Sequence, residues 1–205
     1  MVFFVLLAFL VTGFFYSRMP EQMVSGWDYL GRPNRYLPRF WGLFLMPLIN
    51  LLMVGLFSLI PQIDPLKENV KKFQAYFDVF IISILLFLFY LQGLVLAWNL
   101  GYRFNMVYLM ILPFVILFWI IGVLLEKSRR NWFIGVRTPW TISSDLVWRK
   151  TNRLGGKLFK ASSLITLIGF LLPDFAFLLV VIPSFLATVF AVVYSYFVYR
   201  VEKKK

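Results

Sequence analysis

Along this chain the apolar positions gather into long uninterrupted runs, and they neither alternate nor recur on a single helical face. Runs of about 20 apolar residues match a bilayer core ~30 Å thick, crossed by a helix rising ~1.5 Å per residue. Six are predicted, over 1–16, 40–60, 77–97, 107–125, 157–172 and 175–199. The expected fold class is therefore all-α, a polytopic membrane protein of six transmembrane helices. The first run is short, but it lacks a basic leader and a small-residue cleavage site, so it reads as an anchor. The fifth carries Lys157 and Lys160 in its first turn, where long side chains reach back to the headgroups. Two regions follow: 1–60, with two helices and an outer loop over 17–39, and 61–205.

The polar breaks differ in character. Loop 17–39 holds Pro20, Gly26, Gly31, Pro33 and Pro38, which interrupt regular structure, and Trp27, Tyr29 and Tyr36, which suit the membrane interface. Gly31-Arg32-Pro33-Asn34 reads as a turn. Trp27, Asp28, Asn34 and Arg35 are the candidate recognition residues of an outer lip; a plain interfacial connector is the alternative. Loop 61–76 reads as a short link, 98–106 as a tight turn, and Pro173-Asp174 as the tip of a close helical hairpin.

Inside the second, fourth and sixth runs stand Pro47, Pro113 and Pro183. Each removes a backbone donor and frees the carbonyl four residues earlier, at Leu43, Leu109 and Leu179. Kinks there would splay an outward cavity, or would simply be tolerated as prolines in membrane helices are. Asn50, Gln92, Ser162, Ser163 and Thr166 are expected to hydrogen-bond between helices.

Composition supports the membrane reading, with 61% hydrophobic residues and a mean hydropathy of +0.81. The net charge of +12 is explained by topology. With six spans, one side holds Arg18, Arg32, Arg35, Arg39 and Arg103, and the remaining 16 of the 21 Lys and Arg lie on the other. The positive-inside rule then places both termini and the 126–160 segment in the cytoplasm of a prokaryotic plasma membrane. The tail RVEKKK adds contact with anionic lipid, and no direct nucleic-acid partner is expected. Cys and His are both absent, which excludes disulfides, thiol nucleophiles and Cys/His metal sites. No cofactor and no metal is expected. Asp28 and Asp145 stand without a partner acid, so an enzyme is not expected. No ionisable residue falls near the middle of a span, which argues against ion-coupled transport.

The 126–160 segment is the least oily part of the chain. EKSRRN is a basic stop at the surface. Thr138 followed by Pro139 offers an N-cap with Pro at the first helical position, with Thr141 or Ser143 as alternative caps. A short surface-lying helix is predicted to run to about Leu154. Asp145 would pair with Arg149 at i+4, and Gly155-Gly156 would stop the helix. Trp140 and Trp148 would act as interfacial anchors, and Ile142, Leu146, Val147 and Leu154 would form a modest apolar face.

The wording NWFIGVRTPWTISSDLVWRKTNRLGG, over 131–156, closely resembles the signature of the SdpI family of bacterial and archaeal membrane proteins. GWDYLGRPNRYLP, in the first loop, resembles a domain of unknown function that often precedes it. The resemblance implies a non-enzymatic membrane protein conferring immunity to a secreted, membrane-acting peptide toxin. It also implies signalling, by holding a transcriptional repressor at the membrane. The outer loop would meet the toxin. Asn131, Arg137, Thr138, Pro139, Trp140, Trp148, Arg149, Lys150, Asn152, Arg153, Gly155 and Gly156 would form the platform for the cytoplasmic partner. The chain departs from the family at Gly26, where relatives often carry His before Trp27, and at Asn152, where His is common. A small-molecule or lipid transporter using the outward cavity is the alternative, and a lipid-active enzyme with Asp28 or Asp145 as base is a more distant one.

Overall fold

The computed structural model describes residues 1–203; the last two lysines of the tail expected to touch anionic lipid lie outside the described residues. In chain order the elements are α1 (Val2–Phe15), β1 (Gln22–Trp27), β2 (Pro33–Pro38), α2 (Arg39–Ile63), α3 (Lys67–Lys71), α4 (Gln74–Asn99), α5 (Met106–Lys127), α6 (Pro139–Ser143), α7 (Asp145–Leu167) and α8 (Ala176–Lys203). Four helical segments are long and apolar enough to cross a membrane: Arg39–Ile63, Gln74–Asn99, Met106–Lys127 and Pro173–Lys203. Val2–Arg18 is a shorter apolar helix. The chain is mostly helical but not all-α, and two compact units divide it.

The first unit comprises 1–57 and 81–110. Here the expected irregular loop is an antiparallel β-hairpin, with Gln22 paired to Pro38 and Trp27 to Pro33. Prolines at strand ends and a bulge around Gly26 leave enough pairing between them for a ladder. The turn lies at 28–32, earlier than predicted. Asp28 Oδ1 accepts from the amides of Leu30 (2.9 Å) and Arg32 (2.8 Å), and Gly31 takes the φ of +78° that this reversal needs. Asn99, at the end of α4, acts as a surrogate strand residue. Its side chain accepts from Val24 N at 2.8 Å and donates to Val24 O at 2.9 Å. Beneath the hairpin, Met19, Met23, Leu43, Val95, Leu96 and Met106 form a buried cluster.

The second unit comprises 58–80 and, among the described residues, 111–203. Its main correction concerns α7. The short helix predicted from the Thr138 cap to about Leu154 is instead broken at the extended Ser144, and α7 then runs through Gly155-Gly156 as a continuous helix of 23 residues, about 34 Å long. The glycines do not stop it; they let another helix approach. A Cβ on Gly156 would lie 2.5 Å from Gly122 O, and one on Gly122 would lie 2.7 Å from Gly156 O. Just beyond this crossing Lys160 Nζ meets Glu126 Oε2 at 2.7 Å and sits over the Trp119 ring at 5.6 Å. The predicted fifth span, 157–172, corresponds to the second half of α7 and the 3-10 turn after it.

The carbonyls freed by Pro47, Pro113 and Pro183 are used. Thr12 Oγ1 donates to Leu43 O (3.3 Å) and Tyr90 OH donates to Leu109 O (3.1 Å). The Thr166 hydroxyl is shared between Ser162 O (2.9 Å) and Leu179 O (3.2 Å). A hydroxyl on a neighbouring helix replaces the N–H that each proline lacks. Gln92 Nε2 extends the first of these links, donating to Thr12 Oγ1 (2.7 Å) and Ala8 O (3.1 Å).

Candidate functional site

The 128–156 segment is built around buried polar side chains. Asn131 is fully buried. Its Oδ1 accepts from Phe133 N (2.9 Å) and Ile134 N (2.6 Å), while its Nδ2 donates to Arg129 O and Ile134 O, both at 2.8 Å. One amide thereby satisfies four groups of a loop with no ladder of its own. Gly135, at φ +119°, carries the chain back over α7, where a Cβ would stand 2.7 Å from Asn152 Oδ1. Asn152, buried on α7, accepts from Val136 N at 2.8 Å and donates to Trp148 O at 3.1 Å.

Thr138 and Thr141 then cap α6 reciprocally. Thr138 Oγ1 accepts from Thr141 N (3.2 Å), Thr141 Oγ1 accepts from Thr138 N (2.8 Å), and Pro139 occupies the first helical position as predicted. Ser144 caps the next helix, accepting from Leu146 N (3.2 Å) and Val147 N (3.3 Å) while donating to Glu202 Oε1 (2.7 Å). The Thr138 and Ser195 hydroxyls lie 3.1 Å apart, and Trp140 packs edge-on against Tyr196 at 5.2 Å. Both ends of α6 are thus tied to α8.

Two further expectations are corrected here. Trp148 is no interfacial anchor: it is 2% exposed, and its indole N–H donates to Ser128 O at 3.3 Å. Asp145 pairs with Arg130 (3.0 Å to Nε) instead of with Arg149. That Nε makes no well-directed hydrogen bond, so the contact is coulombic, and the Arg130 Nη1 donates to Ile142 O at 3.1 Å.

Loop 61–76, expected to be a short link, holds the start of the segment. Asp64, buried, accepts from Trp132 N with one carboxylate oxygen (2.9 Å) and from Leu66 N with the other (2.7 Å). Asn69 Nδ2 donates to Arg130 O at 2.9 Å. The only advance signal was an Asp two residues before the backbone it turns, the Asx-turn pattern. Farther along, Lys71 hydrogen-bonds the exposed Glu68 at 2.7 Å and holds its carboxyl below the usual carboxylate range.

The signature residues therefore fall into two sets. Asn131, Thr138, Trp148, Asn152, Gly155 and Gly156 are buried, and Trp140 is half-buried. Arg137, Pro139, Arg149, Lys150 and Arg153 are exposed. Trp132, Arg137, Thr138, Pro139, Ile142 and Ser143 line an open groove of about 500 Å³. The Arg137 guanidinium lies across one wall, donating to Trp132 O. In the hairpin, Asp28 serves the turn and Trp27 packs edge-on against Trp98 at 5.6 Å, while Asn34 and Arg35 are exposed.

These features define a multi-pass helical membrane protein with a β-hairpin after its first helix and an internally bonded polar segment between α5 and α7. Residues 127–195 match the SdpI/YfhL protein family, and residues 3–51 match a domain of unknown function, DUF1648. The chain is 26% identical over 200 residues to the protein named immunity protein SdpI of Bacillus subtilis (strain 168), covering 97% of this chain and 94% of that one. The resemblance to the SdpI family carried by the signature is borne out by these matches. No solved structure matches the chain.

Proposed function

We propose that this protein is an immunity protein, protecting its host from a secreted, membrane-active peptide toxin without catalysing a reaction. The observation that carries this reading is the similarity to an immunity protein along nearly the whole of both chains, N-terminal hairpin region included. In this reading α1 and α7 complete six spans, with both termini cytoplasmic. The second half of α7 suits a membrane helix because polar residues there face partners: Ser163 donates to Val115 O at 2.7 Å, Thr166 to Leu179 O, and Lys160 to Glu126. Buried polar groups satisfied in this way remove the main cost of placing such a helix in lipid.

The hairpin, with Asn34 and Arg35 exposed, is the toxin-facing surface. The groove beside Arg137, continued by Arg149, Lys150 and Arg153, is the surface for a cytoplasmic partner such as a repressor. Expression in a strain sensitive to the peptide is the test. Survival at a dose that kills the empty-vector control supports immunity, and equal killing overturns it. The rival acids both have structural employment, Asp28 in the hairpin turn and Asp145 with Arg130, which supports a non-enzymatic role.

A further inference from the structure

A second groove, of about 470 Å³, lies between α7 and α8. We propose that it holds one acyl chain of an anionic glycerophospholipid whose phosphate is met by Lys157 and Arg200. The floor of the groove is formed by small residues, Ala161 and Ser162 on α7 and Ala187 on α8, flanked by Leu158 and Phe190. Pro183 closes one end. Ser162 adds no polarity, since its hydroxyl donates to Leu158 O of its own helix at 2.9 Å. Such walls suit hydrocarbon and offer nothing to a polar ligand. From Pro183 to Val193 the groove runs about 15 Å, half of a ~30 Å bilayer core, which is the reach of a chain from one leaflet.

The charge at the opposite end from Pro183 chooses the headgroup. Lys157 stands one turn before Ala161, and Arg153 one turn before Lys157; both are exposed. Arg200 stands two turns after Val193, exposed, with its guanidinium 5.9 Å from the Tyr196 ring. The nearby acids are otherwise engaged: Glu202 accepts from Ser144 and Glu126 from Lys160. Lys157 adjoins Leu158 at the groove's edge and Arg200 lies two turns beyond Val193, and long side chains reaching toward the surface from both match a phosphate at headgroup depth.

A second copy of this chain fits the same groove poorly. Copies inserted with one orientation are related by an axis along the membrane normal, so each residue meets its own counterpart at equal depth. Lys157 and Arg200 would then face like charges.

The test uses the purified full chain in nanodiscs, with phosphatidylglycerol carrying a photoreactive acyl chain as the probe. Labelling is mapped by peptide mass spectrometry. Adducts are expected within 158–165 and 183–193, competed by unlabelled phosphatidylglycerol and not by phosphatidylcholine. Lys157→Gln and Arg200→Gln should each lower labelling about fivefold, the worth of one cation near an anionic surface. Lys67→Gln, an exposed cation on α3 outside both proposed surfaces, is the control and should leave it unchanged. Filling the floor with Ala187→Phe should abolish adducts in both stretches, while circular dichroism confirms retained helix. Equal competition by phosphatidylcholine would mean ordinary boundary lipid and overturn the proposal. So would Val189→Cys forming a disulfide-linked dimer in place of lipid adducts.

Discussion

Thr12, Tyr90 and Thr166 show how single hydroxyls decide whether a membrane proline is a kink or a joint. Each donates to the carbonyl that a proline four residues later leaves without its helical partner. The prolines and the freed carbonyls were readable from spacing alone. The donors were not, because they come from helices distant in sequence. Thr166→Val is expected to lower stability by ~1 kcal/mol, the usual worth of an interhelical hydrogen bond in a membrane. Thr151, just as buried, has an Oγ1 without a hydrogen-bond partner among the described residues, so Thr151→Val should be neutral or stabilising. Thermal unfolding of the two variants in one detergent checks the contrast; equal losses would contradict it. Asn152 belongs to the same scale. Its side chain is buried and bonded to Val136 and Trp148, so a substitution there bears on the segment's interior and not on its exposed face.

Among the elements, the α6–α7 stretch is the one whose start was legible in the sequence and whose end was not. The Thr138 cap and Pro139 start were legible because capping chemistry is local. The end at Gly155-Gly156 was misread because glycine is also the residue that lets two backbones meet, and only the position of α5 distinguishes the two uses. The pair is unequal in a way that can be measured. Gly155→Ala places its Cβ no closer than 3.5 Å to any neighbour and should gain helix propensity, up to ~1 kcal/mol. Gly156→Ala forces a Cβ to 2.5 Å from Gly122 O and should cost ~1–3 kcal/mol by overpacking. Denaturation midpoints moving in opposite directions are the expected result. The hairpin was hidden for a related reason: five Pro and Gly residues in the loop argued against strands, while the side chain that pairs with Val24 lies on α4.

For the molecule as a whole, the membrane class was legible from hydropathy, and the asymmetry of Lys and Arg sets the expected orientation, which labelling can test. A chain without cysteine suits thiol scanning. Ser25, in the hairpin, and Ser143, exposed beside the signature groove, are the positions to use; Ser144 would sacrifice a helix cap. Ser25→Cys should react with an impermeant maleimide on intact cells, and Ser143→Cys only after permeabilisation. The reverse pattern would put the signature outside, where no cytoplasmic partner reaches it. Asp64 and Asn69 carry a different consequence, one for genetics. Because they grip Trp132 and Arg130, a selection for toxin-sensitive alleles across the whole gene should return hits in a linker that shares no signature of its own. Second-site revertants of those alleles should then fall in 129–132, so that two stretches distant in the gene behave as one locus.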